Sequence, residues 1–126
     1  MKPKLYVVIP CYNEQEVLPV TAPMFLQKLE ELTQKGYITA DSRILFVNDG
    51  SADNTWQIIN SLSGKYERCE GISLSRNRGH QNALLAGLHE VADKCDVAIS
   101  IDCDGQDDIN AMDKMLEEYA NGAEVV

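Results

Sequence analysis

Positive charge is scarce in this sequence. Its 126 residues include 11 Lys and Arg against 20 Asp and Glu, which gives a formal net charge of −9. Nucleic acids and anionic membrane surfaces attract basic proteins, so this balance argues against nucleic acid as a partner. An anionic ligand would therefore have to be bound locally, by a metal ion or by backbone amides.

Long apolar runs and paired cysteines are also missing. No segment approaches the roughly 18 consecutive apolar residues of a membrane span. The apolar run after the basic N-terminus stops at Pro10, too early for a signal peptide. The cysteines lack Cys-x-x-Cys spacing, and two of them lie in or beside apolar runs, as small core residues do. We expect a cytoplasmic chain with reduced thiols at Cys11, Cys69, Cys95 and Cys103.

Several catalytic signatures are absent as well. The sequence has no nucleophile elbow, no Walker loop and no Gly-x-Gly-x-x-Gly, which weakens serine hydrolase, P-loop NTPase and dinucleotide-binding interpretations. His80 and His89 are nine residues apart and share no carboxylate spacing typical of a metal site. A ligand or base role is not favoured for either histidine, since a general base needs placed partners.

What the chain does contain is an alternation of apolar strands and helical patterns. Apolar runs at residues 5–9, 44–47, 71–74 and 97–101 are each followed by a polar or glycine-containing stretch and then by a helical pattern. This order predicts βαβ units. We expect one α/β domain over residues 1–126, with a mostly parallel sheet between two layers of helices.

Four helices are predicted from the periodicity. The first covers residues 17–35, although Pro19 and Pro23 argue against one straight helix through its first half. The second runs from about residue 54 to residue 62, with Ser51 or Asp53 as its cap. The fourth covers roughly residues 110–119.

The third helix is expected to begin near Gly79 and to face the core with a stripe at helical spacing, formed by Leu84, Leu88, Val91 and Cys95. Beyond the fourth helix, residues 123–126 look like the opening of a fifth strand. We therefore expect the sequence to be a portion of a longer chain.

Three polar clusters follow three of the predicted strands, at residues 10–14, 48–51 and 102–106. In an open parallel α/β sheet, ligands bind in the crevice outside the carboxyl ends of the strands, so these clusters should converge. Asp102 and Asp104 could aim two carboxylates at one hard cation that keeps open positions for substrate phosphates. A solvated turn would explain an isolated Asp-x-Asp better, but the convergence favours a metal site.

Two further positions stay open between a structural and a functional role. Asp49 either accepts a hydrogen bond from a nucleobase N–H or forms an ordinary Asp-Gly turn with a cap. Before the third helix, Arg76 or Arg78 could pair with phosphate or stack on a base, and surface solvation is the default for Arg78.

Four motifs in order resemble those of family 2 glycosyltransferases. They lie at residues 8–14, 47–55, 75–81 and 102–107. The Arg-Asn-x-Gly segment that begins at Arg76, and Gln106 two positions after the second Asp, are most similar to the polyprenyl-phosphate branch. That branch includes dolichol-phosphate mannose synthases and undecaprenyl-phosphate glucosyltransferases. The resemblance covers essentially the whole chain and implies the nucleotide-sugar-binding portion of a GT-A fold, truncated before the acceptor half.

The resemblance also implies an activity and a cofactor. It implies metal-dependent, inverting transfer from a nucleotide sugar, with a UDP-sugar such as UDP-glucose as the expected donor, to a polyprenyl phosphate or another acceptor. Mg²⁺ or Mn²⁺ would bind the donor diphosphate. The full-length parent is expected at the cytoplasmic face of the membrane, and a homo-oligomer stays open.

A set of site residues follows from the same resemblance. The nucleotide would be surrounded by Pro10, Tyr12, Glu14, Asp49, Arg76, Asp102 and Cys103. The metal would be held by Asp102, Asp104 and Gln106, with Asp104 as the catalytic residue. A lipid phosphate is already largely anionic near neutral pH, since the second pKa of a phosphate monoester is about 6, so a strong protein base is unnecessary. Asp107 and Asp108 are candidate bases, but helix capping is the favoured role for both.

Two other functions stay open at this point. A receiver-type signalling domain shares the α/β architecture and a metal-assisted Asp, which here would be Asp49. It predicts an acidic pair after the first strand and a late Lys after a fifth strand, and neither is found in the sequence. The other alternative is a non-catalytic module that keeps the nucleotide pocket without sugar transfer.

Overall fold

The computed structural model describes residues 2–104 and 110–120, within which strands and helices alternate. The strands are β1 (Leu5–Cys11), β2 (Arg43–Asn48), β3 (Cys69–Ser73) and β4 (Val97–Ser100). The helices are α1 (Leu18–Gln34), α2 (Thr55–Lys65), α3 (His80–Val91) and α4 (Ala111–Ala120). Each of the four predicted strands and helices is present. The predicted fifth strand and Gln106 lie outside the described residues.

The four strands form one parallel sheet in the order β3-β2-β1-β4. β1 is central: Val8 pairs with Leu45 of β2 on one side and with Ser100 of β4 on the other. The chain moves outward from β1 through β2 to β3 and then returns to the opposite side of β1 as β4. The strand order therefore reverses between β1 and β4, and ligands of open α/β sheets bind outside the carboxyl ends at such a reversal.

Helices cover both faces of the sheet because successive strand side chains point to opposite faces. On one face, Leu5, Val7 and Ile9 of β1 belong to a buried cluster that also contains residues of α1, α2 and α4. On the other face, Tyr6 and Val8 share a second cluster with residues of α3. This arrangement confirms the predicted three-layer α/β fold.

α1 is a single helix of 17 residues, so neither proline interrupts it. Pro19 occupies the first turn, where backbone N–H groups have no intrahelical partner and proline costs little. Pro23 lies inside the helix and removes one backbone hydrogen bond. Burial of Leu18, Ala22 and Phe25 against the sheet holds this part of the helix in place.

α3 meets the sheet through smaller residues than predicted. Its fully buried positions are Ala83, Gly87 and Val91, whereas Leu84 and Leu88 are only partly buried. A Cβ added at Gly87 would lie 2.6 Å from a methyl carbon of Val8, so the missing side chain lets the helix approach the strands closely. The helix ends at Val91 and does not include Cys95, contrary to the prediction.

The other helices follow their predictions more closely. α2 continues to Lys65, one turn beyond the predicted end. Its N-cap residue is Asn54 and not Ser51 or Asp53, although the Asp53 carboxylate accepts the Thr55 N–H at 2.9 Å. Met112 and Leu116 of α4 are buried in the larger cluster. Within the described residues, no helix combines the length and the apolar character that crossing a membrane requires.

Candidate functional site

Three strand ends meet at the carboxyl edge of the sheet and form two adjoining cavities. The smaller, of about 140 Å³, is lined by Pro10, Cys11, Tyr12, Asp49, Asn77, Gly79 and His80. The larger, of about 400 Å³, is lined by Pro10, Tyr12, Glu14, His80, Asp102, Cys103 and Asp104. The cavities share Pro10, Tyr12 and His80. The structure thus brings together the three polar clusters that the sequence places after β1, β2 and β4.

The segment after β1 is joined to the loop after β2 by side-chain hydrogen bonds. The Asn13 N–H donates to Ser51 Oγ at 3.0 Å, and Asn13 Oδ1 accepts the Ala52 N–H at 2.8 Å. Asn13 itself has a φ of 53°, in the left-handed region that Asn tolerates better than most residues. One position further, the Glu14 N–H donates to Thr55 Oγ1 at 2.8 Å. These bonds fix the cavity wall, from which Tyr12 projects with 47% of its surface exposed.

Asp49 has a structural role in addition to lining the smaller cavity. It is buried, and its Oδ1 accepts the backbone N–H of Arg78 at 2.7 Å. The next residue, Gly50, has a φ of 64° and lies directly against the backbone of residues 76 and 77. Asp49 and Gly50 therefore hold the loop before α3 over the cavity. The Arg76 side chain lines neither cavity, and the backbone of this residue packs against Gly50.

The larger cavity is strongly acidic. Asp102 has half of its side chain exposed, and Glu14 and Asp104 line the same space. Burial raises the pKa of Glu14 above its usual value, and the negative charges of Asp104 and Asp102 add to the effect against an opposing hydrogen bond from Cys103. Carboxylates crowded in this way favour a bound cation.

The thiols beneath this cavity are buried. Cys11 and Cys103 belong to the larger core cluster, and Cys103 also lines the cavity between the two aspartates. The hydrogen bond between these two thiols and their burial raise the pKa of Cys11. Both thiols, like those of Cys69 and Cys95, are free.

The donor set suits a cation that shares its ligands with a phosphate group. Among the residues that the structure describes, no three Asp, Glu, His or Cys side chains form a metal-binding group. Asp102 and Asp104 supply two carboxylates on one cavity, and the predicted third ligand, Gln106, is not described. Mg²⁺ commonly binds to one or two carboxylates together with substrate phosphates, so two carboxylates fit such an ion.

Comparison with known families decides what kind of protein carries this site. The family model described as "Glycosyl transferase family 2" matches residues 6–126. The chain belongs to this family. The match confirms the family expected from the four motifs and excludes a receiver domain.

Relatives of this glycosyltransferase family support the resemblance to the polyprenyl-phosphate branch. An uncharacterized glycosyltransferase of Bacillus subtilis, YkoT, is 42% identical over 99% of this chain and 37% of its own length. The bactoprenol glucosyl transferase of Shigella phage SfX is 37% identical over 98% of this chain and 38% of its own length. The chain therefore spans little more than a third of these relatives.

Solved structures confirm the GT-A fold. Staphylococcus aureus TarS in complex with UDP-GlcNAc superposes with a TM-score of 0.63 at 17% identity, over 94% of this chain and 31% of that one. The mannosyltransferase PcManGT of Pyrobaculum calidifontis, in complex with GDP-Man and Mn²⁺, gives a TM-score of 0.57 at 21% identity, over 82% and 28% of the two chains. At these identities the likeness concerns the fold alone.

The candidate site contains one side chain for which the sequence analysis did not favour a role. His80 is the first residue of α3, lines both cavities, and has its Nε2 atom 3.6 Å from Asp102 Oδ1. Spacing along the sequence could not find it, because its partner is 22 positions away. The available signal was its position directly after the Arg-Asn-x-Gly segment that follows β3.

Proposed function

We propose that this chain is the donor-binding portion of an inverting glycosyltransferase that passes a sugar from a UDP-sugar, such as UDP-glucose, to a polyprenyl phosphate at the cytoplasmic face of the membrane. One observation carries the proposal: Asp102 and Asp104 line a cavity that adjoins the pocket of Asp49 where the strand order reverses. The bactoprenol glucosyl transferases among the relatives support both a glucosyl donor and a polyprenyl-phosphate acceptor.

The two cavities suggest how the donor binds. The smaller cavity would take the base and ribose, with the Asp49 carboxylate accepting a base N–H and Tyr12 offering a ring to pack against. Glu14 and Cys103 would face the nucleotide from the larger cavity, beside the two aspartates. In this pose the diphosphate lies where the two cavities join. Arg76 would act near the nucleotide through the backbone that packs on Gly50.

The aspartates would hold the cofactor. Asp102 and Asp104, with Gln106, would bind Mg²⁺ or Mn²⁺, and Asp104 is the residue on which transfer most depends. When bound, the ion supplies Lewis-acid stabilisation of the charge that builds on the departing diphosphate. An inverting transfer to a lipid phosphate needs no strong base, since the acceptor is already anionic near neutral pH.

Calorimetry of the chain with UDP and GDP, each with and without Mn²⁺, tests the proposal. We expect UDP to bind more tightly than GDP and Mn²⁺ to strengthen binding. Asp104→Asn should remove most of the Mn²⁺-dependent gain, a loss of about tenfold or more, because changing even a residue that only supports a metal ligand typically lowers metal affinity about 10–100-fold. Asp93→Asn, an exposed carboxylate after α3, is the matched control and should leave binding unchanged.

Two results would count against the proposal: a folded sample that binds neither nucleotide, or Asp104→Asn with the same Mn²⁺ dependence as the wild type. A separate assay with radiolabelled UDP-glucose and undecaprenyl phosphate distinguishes an enzyme from a module that only binds the donor. Label in the lipid fraction is the result expected of an enzyme.

A further inference from the structure

His80 is held at the junction of the two cavities by the loop that precedes it. The Arg78 N–H is bound to Asp49, and the Gly79 N–H donates to Asn77 Oδ1 at 2.8 Å. Gly79 then turns the chain into α3 with a φ of 90°, which places His80 as the first helical residue. Its side chain is 60% exposed and so is open to a ligand.

The chemistry of the cavity walls makes this position unusual. The walls of the larger cavity include the carboxylates of Glu14, Asp102 and Asp104. These carboxylates repel a diphosphate unless a metal ion neutralises their charge. Among the described residues lining the two cavities, His80 is the one with an imidazole ring, whose N–H can donate a hydrogen bond to a phosphate oxygen. Of the three residues common to both cavities, Pro10 has no side-chain donor, Tyr12 has a hydroxyl, and His80 has a ring N–H.

We propose that His80 binds the diphosphate of the nucleotide sugar at this junction, where its Nε2 atom lies 3.6 Å from Asp102 Oδ1. The inference rests on the proposed function, because a base in the smaller cavity and a metal on Asp102 and Asp104 leave the phosphates between them. In this role His80 contacts the phosphate groups of the nucleotide sugar and takes no part in recognising the base.

A ligand series separates this role from a structural one. Dissociation constants for uridine, UMP and UDP are measured by NMR titration at saturating Mn²⁺ on the wild type, on His80→Ala and on His89→Ala. His89 is an exposed histidine of the same helix and serves as the matched control. We expect His80→Ala to weaken UDP about tenfold or more, since hydrogen bonds to charged groups are the stronger class, and to change uridine less than twofold. His89→Ala should change neither.

Mn²⁺ binding without nucleotide, followed by electron paramagnetic resonance, completes the test. His80→Ala is expected to retain Mn²⁺ affinity within about twofold. Equal losses for uridine and UDP would mean that His80 only supports the cavity wall, and a loss confined to Mn²⁺ alone would mean that it acts through Asp102. Either result overturns the inference, as does unchanged UDP binding. If the wild-type chain itself fails to bind UDP, the proposed function fails together with the inference about His80. If the wild type binds UDP and His80→Ala binds it equally well, only the inference about His80 fails.

Discussion

Lys28 is a buried lysine whose replacement should destabilise the fold strongly. Only 3% of its side chain is exposed, and its Nζ lies 2.5 Å from Asp113 Oδ1 and 3.1 Å from Asn110 Oδ1. Glu31, one turn along α1, adds a weaker contact at 3.4 Å. Asp113 belongs to α4 and Asn110 immediately precedes it, so these contacts join α1 to the helix that follows the candidate metal site.

The loss of stability in Lys28→Met can be estimated from the contacts that Asp113 keeps. Lys28→Met keeps an apolar side chain of similar length and removes the charge. Removing one partner of a buried ion pair typically costs about 3–5 kcal/mol, because the other charge loses its compensation. Asp113 keeps Lys35 Nζ at 2.9 Å, and 21% of its side chain is exposed, so we expect the lower end, about 3 kcal/mol.

Urea unfolding followed by circular dichroism measures the loss. The control Lys94→Met removes an exposed pair with Glu90, both side chains nearly half exposed, and should cost less than about 0.5 kcal/mol. The double variant Lys28→Met/Asp113→Leu should recover most of the stability, since apolar replacement of a buried pair is often neutral. The reasoning is refuted if Lys28→Met loses less than about 1 kcal/mol, or if the double variant is as unstable as the single one.

The stability that Lys28→Met loses should depend on pH, in the direction set by the pKa of Asp113. Burial alone would raise the pKa of Asp113, but hydrogen bonds from Lys28 and Lys35 outweigh it and the pKa is lowered. A carboxyl with a lowered folded-state pKa contributes stability above its unfolded value, about 3.9, and loses it as the pH falls through the folded-state pKa. The difference between wild type and Lys28→Met should therefore be full at pH 7 and shrink below about pH 4. A constant difference over that range would contradict the assignment.

Two further predictions concern backbone positions. Gly50→Ala puts a Cβ at 2.3 Å from the backbone of residues 76 and 77 at a φ of 64°, so it should destabilise the fold by at least about 1–2 kcal/mol and weaken UDP binding. Gly64→Ala, whose Cβ meets nothing within 4 Å, should be neutral or stabilising in the same unfolding and binding assays. The buried Leu5 N–H donates to Ser42 Oγ at 2.9 Å, and Ser42→Ala removes this acceptor. The free energy of unfolding in urea should fall by about 1–3 kcal/mol. An unchanged midpoint would show that another acceptor replaces Ser42.

Much of the fold could be predicted because its signals are local. β1 and β2 are buried almost throughout and read as short continuous apolar runs, whereas the edge strands β3 and β4 are only partly buried and give a shorter apolar signal. The errors came where packing overrides local preference. Pro23 lowers helix propensity, yet the core contacts of α1 retain the helix around it. Gly87 looks like a weak helix residue, and only the close approach of α3 to the sheet explains it.

The candidate site was predicted in part for the same reason. The positions of Asp102, Asp104, Asp49 and Tyr12 after apolar runs marked them as strand-end residues, and the structure brings them to the walls of the two cavities. Whether they bind a nucleotide sugar and a metal stays a prediction. The side chain of Arg76 is not brought there, because the loop that carries it is bound to Asp49 and Gly50 through its backbone.

By itself, the sequence determined the alternation of strands and helices, the acidic pair after β4, and the family, because periodicity and motif spacing are properties of neighbouring residues. Only the tertiary structure decided that β4 pairs with β1 and not with β3, which brings Asp102 beside Tyr12 and His80. Strand pairing depends on which buried faces pack together across the whole domain, and no short stretch of sequence contains that information.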